Sequence, residues 1–198
     1  MAVGHYIIRK AMFNIIALSG KKGSGKSTVA VEFNLKMLSA YKVVAFATPI
    51  KEIIATMTGC DLDALEQQKF KDSLTTYLKP DGVAYTYREL MQKIGDLYRQ
   101  EFGENVFVDQ LFHRHRGRNL IIADCRYKNE LKAIEERGGV VIRVNRVLTN
   151  ADSHSSETDL DAHSFKYYIN NDCSLEDLRG KVSRMADLLA IKNPEFIL

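Results

Sequence analysis

The chain has 198 residues, 45% of them hydrophobic, which suits one compact α/β domain with a full core and excludes a disordered chain. Its 28 basic and 25 acidic side chains leave a net charge of +3, too small an excess to imply a nucleic-acid or membrane partner, though compatible with small polyanions. Three cysteines, Cys60, Cys125 and Cys173, form neither an even disulfide set nor a C-x-x-C pair, and no apolar run reaches the roughly 18 residues of a membrane span, so reduced, buried thiols in a cytoplasmic protein without zinc are expected.

Residues 1–11 precede Met12-Phe13-Asn14, which reads as a short start into the first strand. They either lie outside the fold, with Met12 as initiator, or add an edge strand through His5–Lys10. The apolar run Ile15–Leu18 then enters Gly20-Lys21-Lys22-Gly23-Ser24-Gly25-Lys26-Ser27-Thr28, a G-x-x-x-x-G-K-S phosphate-binding loop between a strand and a helix. Glycines 20, 23 and 25 let successive backbone N–H groups, Ser24's included, approach phosphate oxygens, and the helix that follows adds its positive end. In this pattern Lys26 reaches the β- and γ-phosphates and Ser27 offers a hydroxyl to Mg²⁺.

The helix is expected to run to about Ala40, followed by a buried strand over Val43–Ala47 that Pro49 ends. Residues 50 to about 110 read as helical, interrupted by a turn at Lys79-Pro80-Asp81-Gly82. Leu120–Asp124 has no polar interruption, as in the centre of a parallel sheet. A helix over Lys128–Arg137 stops at Gly138-Gly139, and Val140–Val144 is the next strand. Residues 146–166 are polar and poorly periodic. Tyr167–Asn170 is a last short strand, and Ser174 caps a helix from Leu175 to about Ala190. Alternating strands and helices predict a doubly wound parallel sheet of five strands. The expected division is one domain, with a core over about 12–48 and 118–198, an inserted helical region over 49–117 and a lid over 146–166.

A strand ending in Asp124 supplies a carboxylate near the phosphates that can hold Mg²⁺ directly or through water. Arg126 and Glu130 follow at the same carboxyl end of the sheet, where open α/β folds bind ligands, and Arg126 is placed to ligate a phosphate. A second phosphate needs planar, permanently charged donors of its own. Arg88 and Arg99, eleven residues apart, share one face if their helix is continuous. Arg143 and Arg146 enter the polar stretch and read as a lid over ATP, closing to exclude water.

With these residues in place, the chain resembles the bacteriophage-type deoxynucleoside monophosphate kinases. Phe46-Ala47-x-Pro49-x-Lys51, Tyr87–Gly95 and Phe102-Gly103 through Val108 are similar to that family's monophosphate-binding segments. Asp124–Glu130 resembles its D-x-R-[FY]-x-N-E element, Ser155-Ser156-Glu157 a lid element, and Ile169–Asp172 with Leu175–Leu178 its last strand and helix. The resemblance spans residues 14 to about 190. It implies a P-loop kinase fold, with ATP and Mg²⁺ at Gly20–Thr28 and a deoxynucleoside monophosphate held by Lys51, Arg88, Arg99, Arg126 and Glu130. It also puts Asn171 to Cys173 beside the adenine. The chain departs from the family in Tyr167-Tyr168, where an acidic residue is expected, and in a lid with few arginines.

Other features read blandly. The basic cluster His113–Arg118 lies before the Leu120 strand, at the edge opposite the site, and suits a solvated turn better than nucleic-acid contact. His154 and His163 suit a solvated loop. Asp152, Glu157, Asp159 and Asp161 read as lid-surface charges, with Glu157 kept as a candidate substrate contact. The expected activity is ATP-dependent phosphorylation of a deoxynucleoside monophosphate by Lys26, Arg88, Arg126 and Asp124, in a protein that acts on a small molecule and for which a homodimer stays open. The alternatives are a kinase of another phosphorylated metabolite, or an ATPase switch that docks on DNA or protein through His113–Arg118.

Overall fold

The computed structural model describes residues 15–37, 40–147 and 154–192. The expectations for residues 1–11, Met12 and Asp152, and part of the lid range, lie outside the described residues.

Along the chain run β1 (Ile15–Ser19), α1 (Lys26–Lys36), β2 (Lys42–Val44), α2 (Thr48–Thr58), a 3₁₀ turn (Asp63–Glu66) and α3 (Gln68–Lys71). Then come β3 (Leu74–Leu78), β4 (Ala84–Thr86), α4 (Tyr87–Phe102), α5 (Val106–Arg114) and β5 (Leu120–Cys125). The remainder is α6 (Lys128–Glu135), β6 (Val140–Asn145), α7 (Ser155–Thr158), β7 (Tyr167–Asn170) and α8 (Leu175–Lys192). Five strands form one sheet in the order β2-β5-β1-β6-β7, every pair parallel. The doubly wound five-stranded parallel sheet is therefore as expected.

Strand alternation divides the core between the two faces of the sheet. Ile15 and Ala17 of β1 pack with Ile50, Ile54, Leu90, Ile94, Phe107, Leu111 and Ile134 from α2, α4, α5 and α6. Ile16 and Leu18 pack with Val29, Ala30 and Phe33 of α1 and with Leu178, Val182 and Leu189 of α8. Because all strands run parallel, their carboxyl ends share one edge, and the loops leaving β1, β2, β5 and β6 converge there.

Three expectations are corrected. The strand expected over Val43–Ala47 is only β2, an edge strand on which Val43 stays 39% exposed. Past Val44 the backbone turns aside because the N–H groups of Phe46 and Ala47 bind the Asp124 carboxylate instead of extending the ladder. The first helix ends at Lys36, four residues early, with Leu35 59% exposed. The inserted region is not all helical. Its predicted turn is the tip of an antiparallel hairpin, β3 with β4, closed by Lys79 N–H to the Val83 carbonyl (2.8 Å) and Gly82 N–H to the Lys79 carbonyl (2.9 Å). The flanking Thr75-Thr76-Tyr77 and Tyr85-Thr86 are strand-favouring residue types, which accounts for the hairpin.

Of the cysteines, all free, only Cys125 is buried, and that burial pushes its thiol well up; Cys60 and Cys173 are partly exposed. The Tyr167 ring packs in the core, and the Tyr168 hydroxyl accepts from Phe165 N–H (2.9 Å). No helix among the described residues is long and apolar enough to cross a membrane.

Candidate phosphate-binding site

The loop between β1 and α1 has a shape that only glycine allows at its two ends. Gly20 has φ +153°, and a Cβ there would lie 2.4 Å from the Val144 carbonyl oxygen; Gly25 has φ +93°, and its Cβ would lie 2.2 Å from Asn171 Nδ2. Asn171 occupies that space because its amide donates to the Ser24 carbonyl at 2.8 Å, tying the loop to the end of β7. Lys26 curls back into the loop, its Nζ donating to the carbonyls of Gly20 (2.6 Å) and Lys21 (2.9 Å). Burial, then the nearby Arg126 guanidinium, pushes its ammonium down to about 7, with Asp124 opposing. A buried ammonium held below its ordinary range is a group that gains from an arriving anion.

The loop opens into a cavity of about 380 Å³, within the range of small-molecule sites. Gly23, Gly25, Lys26, Ser27 and Thr28 line one side. Lys51 of α2, Arg88 and Arg99 of α4, and Asp124, Arg126 and Glu130 around the end of β5 line the rest. Helix α4 is continuous, so the eleven-residue spacing does bring Arg88 and Arg99 to one cavity. Of the other expected residues, Ser24 and Arg146 line an adjoining cavity of about 280 Å³, with Lys21, Arg143, Asn145 and Asp172. Gly20 and Asn171 line neither and act on the loop's shape.

Lys51, Arg88, Arg99 and Arg126 are each held by a particular neighbour. Lys51 is buried, its Nζ 2.5 Å from Glu66. Arg88 donates from Nε to Asp72 (2.7 Å) and from Nη2 to Gln68 (2.8 Å). The Arg99 guanidinium stacks over Tyr127 at 4.1 Å and Phe107 at 4.8 Å, with Glu130 at 3.6 Å. Arg126 pairs with Glu157 and donates to the Ser156 carbonyl at 3.3 Å.

The carboxylates are also occupied. Asp124 accepts from Phe46 N–H (2.7 Å) and Ala47 N–H (2.9 Å), so it anchors the turn after β2 as well as facing the cavity. Glu130 reaches back from the first turn of α6 to the backbone N–H groups of Arg126 (2.7 Å) and Tyr127 (3.1 Å), leaving its other oxygen toward Arg99. Burial, with Asp124 nearby, pushes its carboxyl up to about 7 against those hydrogen bonds. The structure thus gives Glu130 three partners in the protein, two backbone N–H groups and Arg99, and a place in the cavity wall.

The largest departure from the sequence reading is Glu157. Far from being a surface charge, its side chain is 4% exposed, accepts from the backbone N–H of Lys22 in the phosphate loop (2.6 Å) and pairs with Arg126. Lys21 reaches across to the Glu157 carbonyl and to Asp161, each at 2.5 Å, and Arg143 meets Asp161 at 3.2 Å. Asp159 accepts from Lys128 N–H (2.8 Å), and His154 lies 3.1 Å from Asp96 of α4. Residues 154–161 therefore sit directly on the loop and the end of β5. Burial of a glutamate between two distant segments has no local sequence signal. The polar segment Glu66-Gln67-Gln68-Lys69-Phe70-Lys71-Asp72 carries no motif either, yet Glu66, Gln68 and Lys71 line the cavity and Asp72 joins Lys22 to Arg88. The basic cluster ends α5, where Arg114 pairs with Glu52 at 2.8 Å, at the amino end of β5 and away from the cavity.

The arrangement suits a multiply charged anion at the loop and a second anion opposite. The family described as deoxynucleotide monophosphate kinase matches residues 56–182, more than half of the chain. A putative deoxynucleotide monophosphate kinase of Acanthamoeba polyphaga mimivirus is 26% identical, over 87% of this chain and 96% of its own. Among solved structures, the chain is similar to a shikimate kinase from Acinetobacter baumannii in complex with shikimate (TM-score 0.49, 13% identical, 92% of this chain and 96% of that one). It is also similar to a dephospho-CoA kinase from Campylobacter jejuni (TM-score 0.46, 17% identical, 90% and 98%).

Proposed function

The chain belongs to the deoxynucleotide monophosphate kinase family and is a nucleotide kinase, and on that premise we propose that it passes the γ-phosphoryl of ATP to a deoxynucleoside monophosphate across the 380 Å³ cavity. The observation that carries this reading is that one cavity joins the phosphate loop and Lys26 to a separate set of cations, Lys51, Arg88, Arg99 and Arg126. A single triphosphate has no need of both.

In this account the backbone N–H groups of Gly23 to Thr28 and the Lys26 ammonium hold the triphosphate, while Arg146 and Asp172, which line the adjoining cavity, border its nucleoside. Ser27 and Asp124 offer the hard oxygen donors that Mg²⁺ prefers and share the cavity with the phosphate loop, so the donor set fits the ion. Mg²⁺, when bound, neutralises charge on the phosphates. Lys51, Arg88 and Arg126 hold the acceptor phosphate in line, and Arg99, stacked on its two rings and steadied by Glu130, completes that wall. Positioning and charge stabilisation suffice for phosphoryl transfer, and no general base is assigned. The Lys22 N–H and Arg126, both now bound to Glu157, are donors that phosphate oxygens would take over. A cytoplasmic location fits the ATP and nucleotide pools such an enzyme draws on.

Replacing Lys26 with Ala tests this mechanism. ADP release in a coupled assay with a deoxynucleoside monophosphate should fall by at least about 100-fold, with the far-ultraviolet circular dichroism unchanged. Turnover equal to that of the wild type would reject the assignment.

A further inference from the structure

Five of the cations around the cavity have a carboxylate against them: Lys22 and Arg88 share Asp72, Lys51 has Glu66, Arg99 has Glu130 and Arg126 has Glu157. Lys71, the last residue of α3, lines the same cavity, and its ammonium makes no hydrogen bond or ion pair among the described residues. The charges it feels are mostly of its own sign, from Lys51, Arg88 and Arg126, against the single carboxylate of Glu66. Burial and these like charges push it down to about 8, and Lys71 in turn helps push Lys26 down. An ammonium partly withdrawn from water and set among other cations is costly unless an anion arrives beside it.

Its location is fixed from both sides. The next residue, Asp72, binds Lys22 of the phosphate loop (3.0 and 3.1 Å) and Arg88 of α4 (2.7 Å), so the end of α3 is clamped between the loop and the opposite wall. We propose that Lys71 is a further phosphate-binding residue, its ammonium meeting the anion where the acceptor phosphate and the transferred phosphoryl lie side by side. Among the described residues, Lys71 is the one lysine or arginine of this cavity whose charged group has neither a carboxylate nor a hydrogen-bond partner, since Lys26 holds the Gly20 and Lys21 carbonyls. The proposal rests on the kinase reading for the identity of the phosphates, and on the geometry alone for their binding.

The test compares Lys71→Met and Lys71→Arg with the wild type in transfer kinetics, in thermal melting without ligand, and in calorimetric titration with inorganic pyrophosphate. Lys71→Met should lose about 10- to 100-fold in kcat/KM for the deoxynucleoside monophosphate and bind pyrophosphate more weakly. Its melting midpoint should hold or rise, because a part-buried cation has left a cluster of like charge; Lys71→Arg should recover part of the loss. Kinetics and pyrophosphate binding within twofold of the wild type would overturn the proposal. So would a loss of activity that tracks a lowered midpoint, since that is a packing role. If the wild type transfers phosphate to no deoxynucleoside monophosphate, the kinase reading fails, while the pyrophosphate titration still decides Lys71.

Discussion

Lys26, buried, and Lys71, part-buried, are ammonium groups held near pH 7 and 8, well below an ordinary lysine, and this makes ligand binding visible as proton movement. In the free protein both are destabilising below their folded values, where folded and unfolded chains are equally protonated. That penalty fades as pH rises toward 10.5, because the folded chain releases its protons first. A polyanion raises both values again, so ATP binding at pH 8 should draw protons from solution. Calorimetry in two buffers of different ionisation enthalpy would read this as net uptake, and net release would contradict it. Glu157 gives a second residue-scale prediction. Glu157→Ala strands the Lys22 N–H and the Arg126 guanidinium, so the ligand-free melting midpoint should fall, by about 2 kcal/mol in stability. The same change frees donors for phosphate, so the KM for ATP should drop several-fold. A KM that rises with the loss of stability would show that Glu157 supports the nucleotide instead of standing in its place. Lys26 and Arg126 were legible in the sequence because each sits in a motif of short spacing. Glu157 and Lys71 were not, since their environments are made by segments far apart in the chain.

Helix α4 carries Arg88 and Arg99, and its start is set by a capping box. The Thr86 hydroxyl accepts from Glu89 N–H (3.1 Å), and the Glu89 carboxylate accepts from Thr86 N–H (2.8 Å). Thr86→Ala should therefore cost about 1 kcal/mol in chemical denaturation. The acceptor KM should rise more than the ATP KM if the arginines on this helix bind the acceptor phosphate as proposed; equal change in both would mean that the helix start does not position them. Another element with one sensitive point is the phosphate loop. Gly25→Ala combines a positive φ with a Cβ pressed against the Asn171 amide, which braces Ser24. ATP binding should be lost at a protein concentration where the fold persists by circular dichroism; retained affinity would show that the loop tolerates the shift. At this scale the strand, loop and helix around Lys26 were read well, as was the continuous helix under Arg88 and Arg99. The β3–β4 hairpin was missed because its short strands lie between helices and its lysine-rich preface carries no strand alternation. The early end of β2 was missed for a different reason: its continuation is diverted by Asp124, 77 residues away from Ala47.

The whole molecule places its chemistry by topology. Parallel strands bring the ends of β1, β2, β5 and β6 to one edge, and the inserted α2–α5 region closes over that edge from the opposite side. The alternating pattern of strands and helices was enough to expect a doubly wound sheet, and the G-x-x-x-x-G-K-S loop was enough to expect phosphates at its edge. What no periodicity could show is how the edge is closed: residues 154–161 packed onto the loop through Glu157, Lys21 and Asp161. The central claim is that the two ends of the cavity hold two different nucleotides and that phosphate passes between them. Its most direct measurement is transfer of the γ-phosphoryl of labelled ATP, with Mg²⁺, to a panel of deoxy- and ribonucleoside monophosphates and to unrelated phosphorylated metabolites. The account predicts labelled diphosphate from at least one deoxynucleoside monophosphate and none when Lys26 is Ala. Label released only as inorganic phosphate, or carried only to a non-nucleotide acceptor, would contradict it.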